Sequence, residues 1–130
     1  MIASLGVHWI FDGVAAPALL ADEDRLRRAL VEIPDALGMT RVSPPQCFTH
    51  LDDAQPSLAG IVLIAESHFS LHLFPHSGVV HGDLFSCRAF AIDTARSHLR
   101  ELYDIRELHE QVLERSTTRD ARLDAAGTRR

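Results

Sequence analysis

Lysine is absent from this chain: all 13 basic residues other than histidine are arginine. Chemistry that needs an enzyme amine as a Schiff-base partner, lysine-bound pyridoxal phosphate included, is therefore excluded for the side chains. An electrophilic carbonyl would have to come from elsewhere. Cysteine is scarce too. Cys47 and Cys87 are too few for a disulfide framework, and no CxxC pair suggests zinc. No apolar run approaches the roughly 18 residues of a membrane span. The opening MIASLGVHWIFDG has no basic start and Asp12 interrupts it early, so no secretory leader is expected. A formal charge of −5 argues against a nucleic-acid surface. These absences lead to the expectation of a soluble, cytoplasmic protein with no membrane or nucleic-acid partner. Its 130 residues suit one domain, able to bury about two-thirds of the surface exposed when unfolded.

What is present alternates between strand and helix patterns. SLGVHWIFDG reads as a first strand. ADEDRLRRALVEI reads as a helix, capped by Asp22 or Asp24, with Leu26, Ala29, Leu30 and Ile33 on one face. Pro34 is expected to kink or end it, and Gly38 to stop it. TRVSPPQCFTHL suggests a short strand on each side of Pro44-Pro45, and LDDAQPS a loop. GIVLIA is a continuous apolar run, expected to be a strand buried on both faces. HFSLHLF alternates, with Phe69, Leu71 and Leu73 facing one way and Ser70, His72 and Phe74 the other. VVHGDLFSC puts His81, Asp83, Phe85 and Cys87 on one parity. DTARSHLRELY reads as a helix capped by Asp93, which RELHEQVLERS extends or follows with another helix. Residues 1–115 would form the domain, and 116–130, without apolar periodicity, a disordered tail. The fold class expected is α+β: a two-layer sandwich, mainly antiparallel sheet, with helices on one face.

Half of the eight histidines, His68, His72, His76 and His81, fall within fourteen residues, beside Ser67, Asp83 and Cys87. The plainest account is a half-polar sheet face rich in histidine. A second is a metal site of His72, His76 and His81, but Pro75 breaks the helical spacing that would bring the first two together, and no metal is expected. A third is a nucleophile, Ser67 or Cys87, beside a histidine base. The GxSxG signature of hydrolases is absent.

GIVLIAESHFSLHLFPHSG followed by DLFSC resembles the short prokaryotic S-adenosylmethionine decarboxylases, whose pattern is approximately GVVVIAESHLSIHTWPEYG followed by DVFTCG. The likeness is close over about thirty residues and extends faintly to SLGVHWIFD, similar to the family's SLGRHLLVD. It implies a proenzyme that cuts itself between Glu66 and Ser67, leaving Ser67 as a pyruvoyl group. The Ser67 hydroxyl would attack the Glu66 carbonyl, turning amide into ester. A base would then remove the α-proton, the Glu66 carboxylate would leave, and the dehydroalanine would hydrolyse to pyruvoyl and ammonia. That ketone accepts a substrate amine as a Schiff base and draws electrons as CO₂ departs. It takes the place of the lysine-bound cofactor this chain cannot hold. By the same resemblance, His72 promotes the elimination and Cys87 is the proton donor to the substrate α-carbon. Without the resemblance, Cys87 would read as a small buried hydrophobe. A homodimer with the site near its interface is also implied.

Four positions depart from the family pattern. The serine implied to assist processing is Ala59 here, leaving Ser57 or a water in its place. Phe74 and His76 stand where the family has Trp and the Glu implied to hold the ribose hydroxyls. The Phe implied to stack on adenine aligns with Asp53, in Leu51 to Asp53. Asp52 and Asp53 would suit the distal cation of a basic amino acid, although paired aspartates by default form a solvated loop. The substrate-binding set expected is Asp52, Asp53, Phe74 and His76. The function expected is a pyruvoyl-dependent decarboxylase of polyamine synthesis that acts on arginine or ornithine. The alternatives are adenosylmethionine decarboxylase proper and an unprocessed homologue that regulates a partner subunit.

Overall fold

The computed structural model describes residues 5–116. Six strands form one sheet in the order β2-β3-β4-β5-β1-β6, and every neighbouring pair is antiparallel. The strands are β1 (Leu5–Val14), β2 (Gln46–Asp52), β3 (Gln55–Ile64), β4 (Ser67–Phe74), β5 (Val79–Ser86) and β6 (Glu107–Ser116). Among the described residues, three helices pack with the sheet: α1 (Pro17–Leu20), α2 (Glu23–Ala36) and α3 (Ile92–Tyr103). The expected α+β sandwich is what forms, with the core between the helices and one face of the sheet.

Strand alternation builds that core. Trp9 and Phe11 of β1, Leu58, Val62 and Ile64 of β3, Phe69, Leu71 and Leu73 of β4, and Val80 and Leu84 of β5 are all buried. Leu26, Ala29, Leu30 and Ile33 of α2 meet them, as their helical spacing predicts. Each large apolar side chain so covered contributes about 1.5–3 kcal/mol. The helix comes close because Gly60 lies under it: a Cβ there would sit 2.7 Å from Leu30 Cδ1. Asp22 caps α2, accepting from the Arg25 N–H at 3.0 Å. Pro34 lies inside the helix rather than ending it, and the chain turns away at Gly38 with a φ of 72°.

Four local expectations need correction. RELHEQVLERS is not helical but forms β6, because the free edge of β1 offers it a ladder from Leu5 to Val14. GIVLIA is buried on one face only. Ile61 and Leu63 are 37% and 50% exposed, since no helix of the described residues covers the second face. LDDAQPS is not a loop but the tip of the β2–β3 hairpin, turning at Asp53 and Ala54, both with positive φ. Asp93 lies within the first turn of α3, whose N-cap is Ala91. The tail expected at 116–130 lies outside the described residues, apart from Ser116, which closes β6.

Candidate active site

The connection between β3 and β4 is two residues long, Ala65 and Glu66, because Ile64 pairs directly with Ser67. The segment before β2 braces it. Ala65 N–H donates to Thr40 O, Val42 N–H to Leu63 O, and Leu63 N–H to Ser43 Oγ. Glu66 is exposed on this braced turn, and Ser67 is half-buried as the first residue of β4. On its other side Ser67 pairs with Ser86, and Cys87 follows at the end of β5. Glu66, Ser67 and Cys87 therefore gather at one end of the sheet.

His72 does not join them. It lies five residues further along the same strand, about 16 Å away. It faces the helix-free side, paired with Ala59 across β3 and with His81 across β5. Ser67 has the parity of the core-facing Phe69 and Leu71. For Ser67 and His72 to meet within one chain, β4 would have to bend near His68. No such bend exists, because β4 pairs residue for residue with β5 from Ser67 to Phe74.

The four residues expected to bind substrate do come together, at the opposite end from Ser67. Asp52, Asp53, Phe74 and His76 line one open cavity of about 350 Å³, with His50, Gln55, Pro56 and Ser57. The hairpin tip of β2–β3 and the turn after β4 form its walls. Ala59 and His72 line a smaller hollow of about 240 Å³ together with Phe48, which is 66% exposed.

Sequence reasoning left one cluster unassembled. On the helix-free face, His8 Nε2 and His68 Nε2 lie 2.7 Å and 3.1 Å from one oxygen of Asp83, and Ser70 Oγ donates to the other. Burial alone would push the Asp83 carboxyl up. The hydrogen bonds from Ser70, His8 and His68 outweigh it and hold the carboxyl below its ordinary range. The Phe85 ring sits against both imidazoles, with the Arg115 guanidinium 4.7 Å above it. Alternation already put His68, Ser70 and the Asp83 strand on matching faces. The missing signal was His8, which lies 75 residues from Asp83.

Among the described residues, His8, His68 and Asp83 are the one set of three side chains close enough to share a metal ion. Each already has a hydrogen-bond partner within the set. The trio weighed from sequence, His72, His76 and His81, does not assemble; His81 instead pairs with Asp12 at 2.6 Å.

Residues 7–116 match the family model of S-adenosylmethionine decarboxylase. The S-adenosylmethionine decarboxylase proenzyme of Thermococcus kodakarensis is 25% identical over 121 residues, 92% of this chain and 82% of that one. The corresponding proenzyme of Archaeoglobus fulgidus is 38% identical over 71 residues, 53% of this chain and 58% of that one. The crystal structure of the adenosylmethionine decarboxylase from Aquifex aeolicus superposes with a TM-score of 0.77 at 20% identity, covering 90% of this chain and 95% of that one, a likeness of fold. No helix of the described residues is long and apolar enough to cross a membrane. With the family model covering the sheet from Val7 to the end of β6, the chain belongs to the S-adenosylmethionine decarboxylase family.

Proposed function

We propose that the chain is a self-processing, pyruvoyl-dependent decarboxylase whose site is completed by a second copy. The observation that carries this is the division of the site along β4. The scissile pair Glu66-Ser67 and Cys87 occupy one end. His72 and the acidic cavity occupy the other, about 16–23 Å away within one copy. A base so far from Ser67 cannot take its α-proton. Two copies meeting face to face about a two-fold axis, strands running oppositely, would set each Ser67 end against the other copy's His72 end. The helix-free face suits such a partner, because Phe48, Ile61, Leu63 and Leu113 are exposed on it.

The Ser67 position fits a group made from its own side chain. It follows a short, braced turn, and its hydroxyl has no hydrogen-bond partner among the described residues, so it is free to swing onto the Glu66 carbonyl. A pyruvoyl ketone there supplies the electrophilic carbonyl and electron sink that a lysine-free chain lacks. Cys87, next to Ser86 at the same end, would hold the proton returned to the product α-carbon. The acidic cavity brings Asp52 and Asp53 to the substrate's far end.

That cavity favours arginine or ornithine as substrate. Two aspartates can take a terminal cation, and its volume lies in the range of small-molecule sites. One feature favours adenosylmethionine instead: the exposed Phe48 ring next to Ala59 and His72, which offers an adenine a face to stack on. The test is release of CO₂ from carboxyl-labelled arginine, ornithine and adenosylmethionine by matured protein. Release from a basic amino acid is expected. Release from adenosylmethionine alone would reject the substrate assignment, and release from none would favour the regulatory homologue.

A further inference from the structure

We propose that Ser86 is a catalytic residue of self-processing, relaying the proton in the step that turns the Glu66-Ser67 amide into an ester. The inference rests on the self-cleavage proposed above. The Ser86 side chain is buried, with the residue 5% exposed, and it is the direct cross-strand partner of Ser67. The two share the core-facing parity. Side chains directly opposed in an antiparallel pair have Cβ atoms about 4.5–5.5 Å apart, within reach for two hydroxyls.

The hydrogen bonding of Ser86 leaves it half-used. Its Oγ accepts from the Arg88 N–H at 3.1 Å, and its own proton has no acceptor among the described residues. Burial makes a hydroxyl that can both accept and donate more effective than one in water. The position expected to supply a processing hydroxyl holds Ala59, on the other face and at the far end of the ladder from Ser67. Ser86 is the hydroxyl the fold sets against the scissile serine in the same copy.

The step balances without a co-reactant. Ser67 Oγ forms a bond to the Glu66 carbonyl carbon, and the Glu66–Ser67 C–N bond breaks with its electron pair on the Ser67 nitrogen. The proton leaving Ser67 Oγ passes to Ser86 Oγ, and the Ser86 hydroxyl proton passes to that nitrogen. Ser86 ends unchanged, and the product is the ester with a free amine at residue 67.

The experiment follows cleavage of the full chain over time by intact mass for the parent, Ser86→Ala, Ser86→Thr and Ser86→Val, with and without hydroxylamine, which cuts an ester but not an amide. Thr and Val fill the same volume and differ at the hydroxyl, so any packing disturbance is common to both. The expected result is parental cleavage that Ser86→Thr retains. Ser86→Ala and Ser86→Val should slow it roughly a hundredfold, with unchanged thermal unfolding midpoints and no hydroxylamine-sensitive ester. Cleavage of Ser86→Ala or Ser86→Val at the parental rate would overturn the proposal. So would accumulation of ester in them, which would put Ser86 after the acyl shift. A parent that stays one chain would instead remove the self-cleavage itself, and the role of Ser86 with it.

Discussion

Asp83 is the residue whose environment makes the clearest demand on pH. Its carboxyl is held below the ordinary range, despite burial, by hydrogen bonds from Ser70, His8 and His68. A carboxyl depressed in the folded state adds stability above its unfolded pKa of about 3.9, and that contribution is lost as the pH falls towards its folded value. Asp83→Asn should therefore lower stability by about 1–2 kcal/mol at neutral pH, and its unfolding curve should approach that of the parent below about pH 4. A deficit constant from pH 7 to pH 3 in urea unfolding would contradict this. The three residues proposed for processing and turnover should fail differently. Ser67→Ala should remain one chain. His72→Ala should stall at an ester that hydroxylamine cuts, since the base for elimination is gone. Cys87→Ala should mature and then lose turnover; decarboxylation at the parental rate would remove its role as proton donor.

At the scale of elements, the sheet is built on close approaches that forbid added atoms. A Cβ on Gly82 of β5 would lie 2.4 Å from Phe11 Cζ and 2.8 Å from Leu71 Cδ2. Gly82→Ala should destabilise by about 1–3 kcal/mol through overpacking, read as a lower urea midpoint with unchanged slope. Strands β1, β4 and β5 and helix α2 were legible in the sequence, because burial on one side writes its period directly into the residues. β6 was not. Ile105, Leu108 and Val112 are spaced as on a helix, and the ladder offered by the β1 edge overrides that spacing. The apolar run of β3 was legible as a strand but not its exposed face, since Ile61 and Leu63 look the same in sequence whether a helix, a second copy or nothing covers them. The site divides likewise. Local motifs named Ser67, His72 and Cys87, and the acidic and aromatic residues of the cavity. They could not give the separation of Ser67 from His72 along a straight strand, nor the meeting of His8 with Asp83, because both depend on how strands distant in sequence pair.

For the whole molecule, the division of the site makes a prediction about pairs of chains. Ser67→Ala and His72→Ala should each stay uncleaved alone, and a mixed assembly of the two should cleave. The chain that cleaves should be the one that carries Ser67 and borrows the other's His72. No cleavage in the mixture, with dimers verified by mass, would mean that His72 acts within its own chain after a rearrangement of β4. The helix-free face would bury its exposed Phe48, Ile61 and Leu63 in such a pair, so Leu63→Asp should yield monomers that mature slowly. The central claim remains chemical: this chain makes its own carbonyl from Ser67. The most direct measurement is the intact mass of the purified protein under denaturing conditions. Two fragments are predicted, of 66 and 64 residues, the second lighter by one ammonia than a serine-terminated chain and shifted by hydrazine. A single mass for all 130 residues after prolonged incubation, or a second fragment that begins with an ordinary serine, would contradict the account.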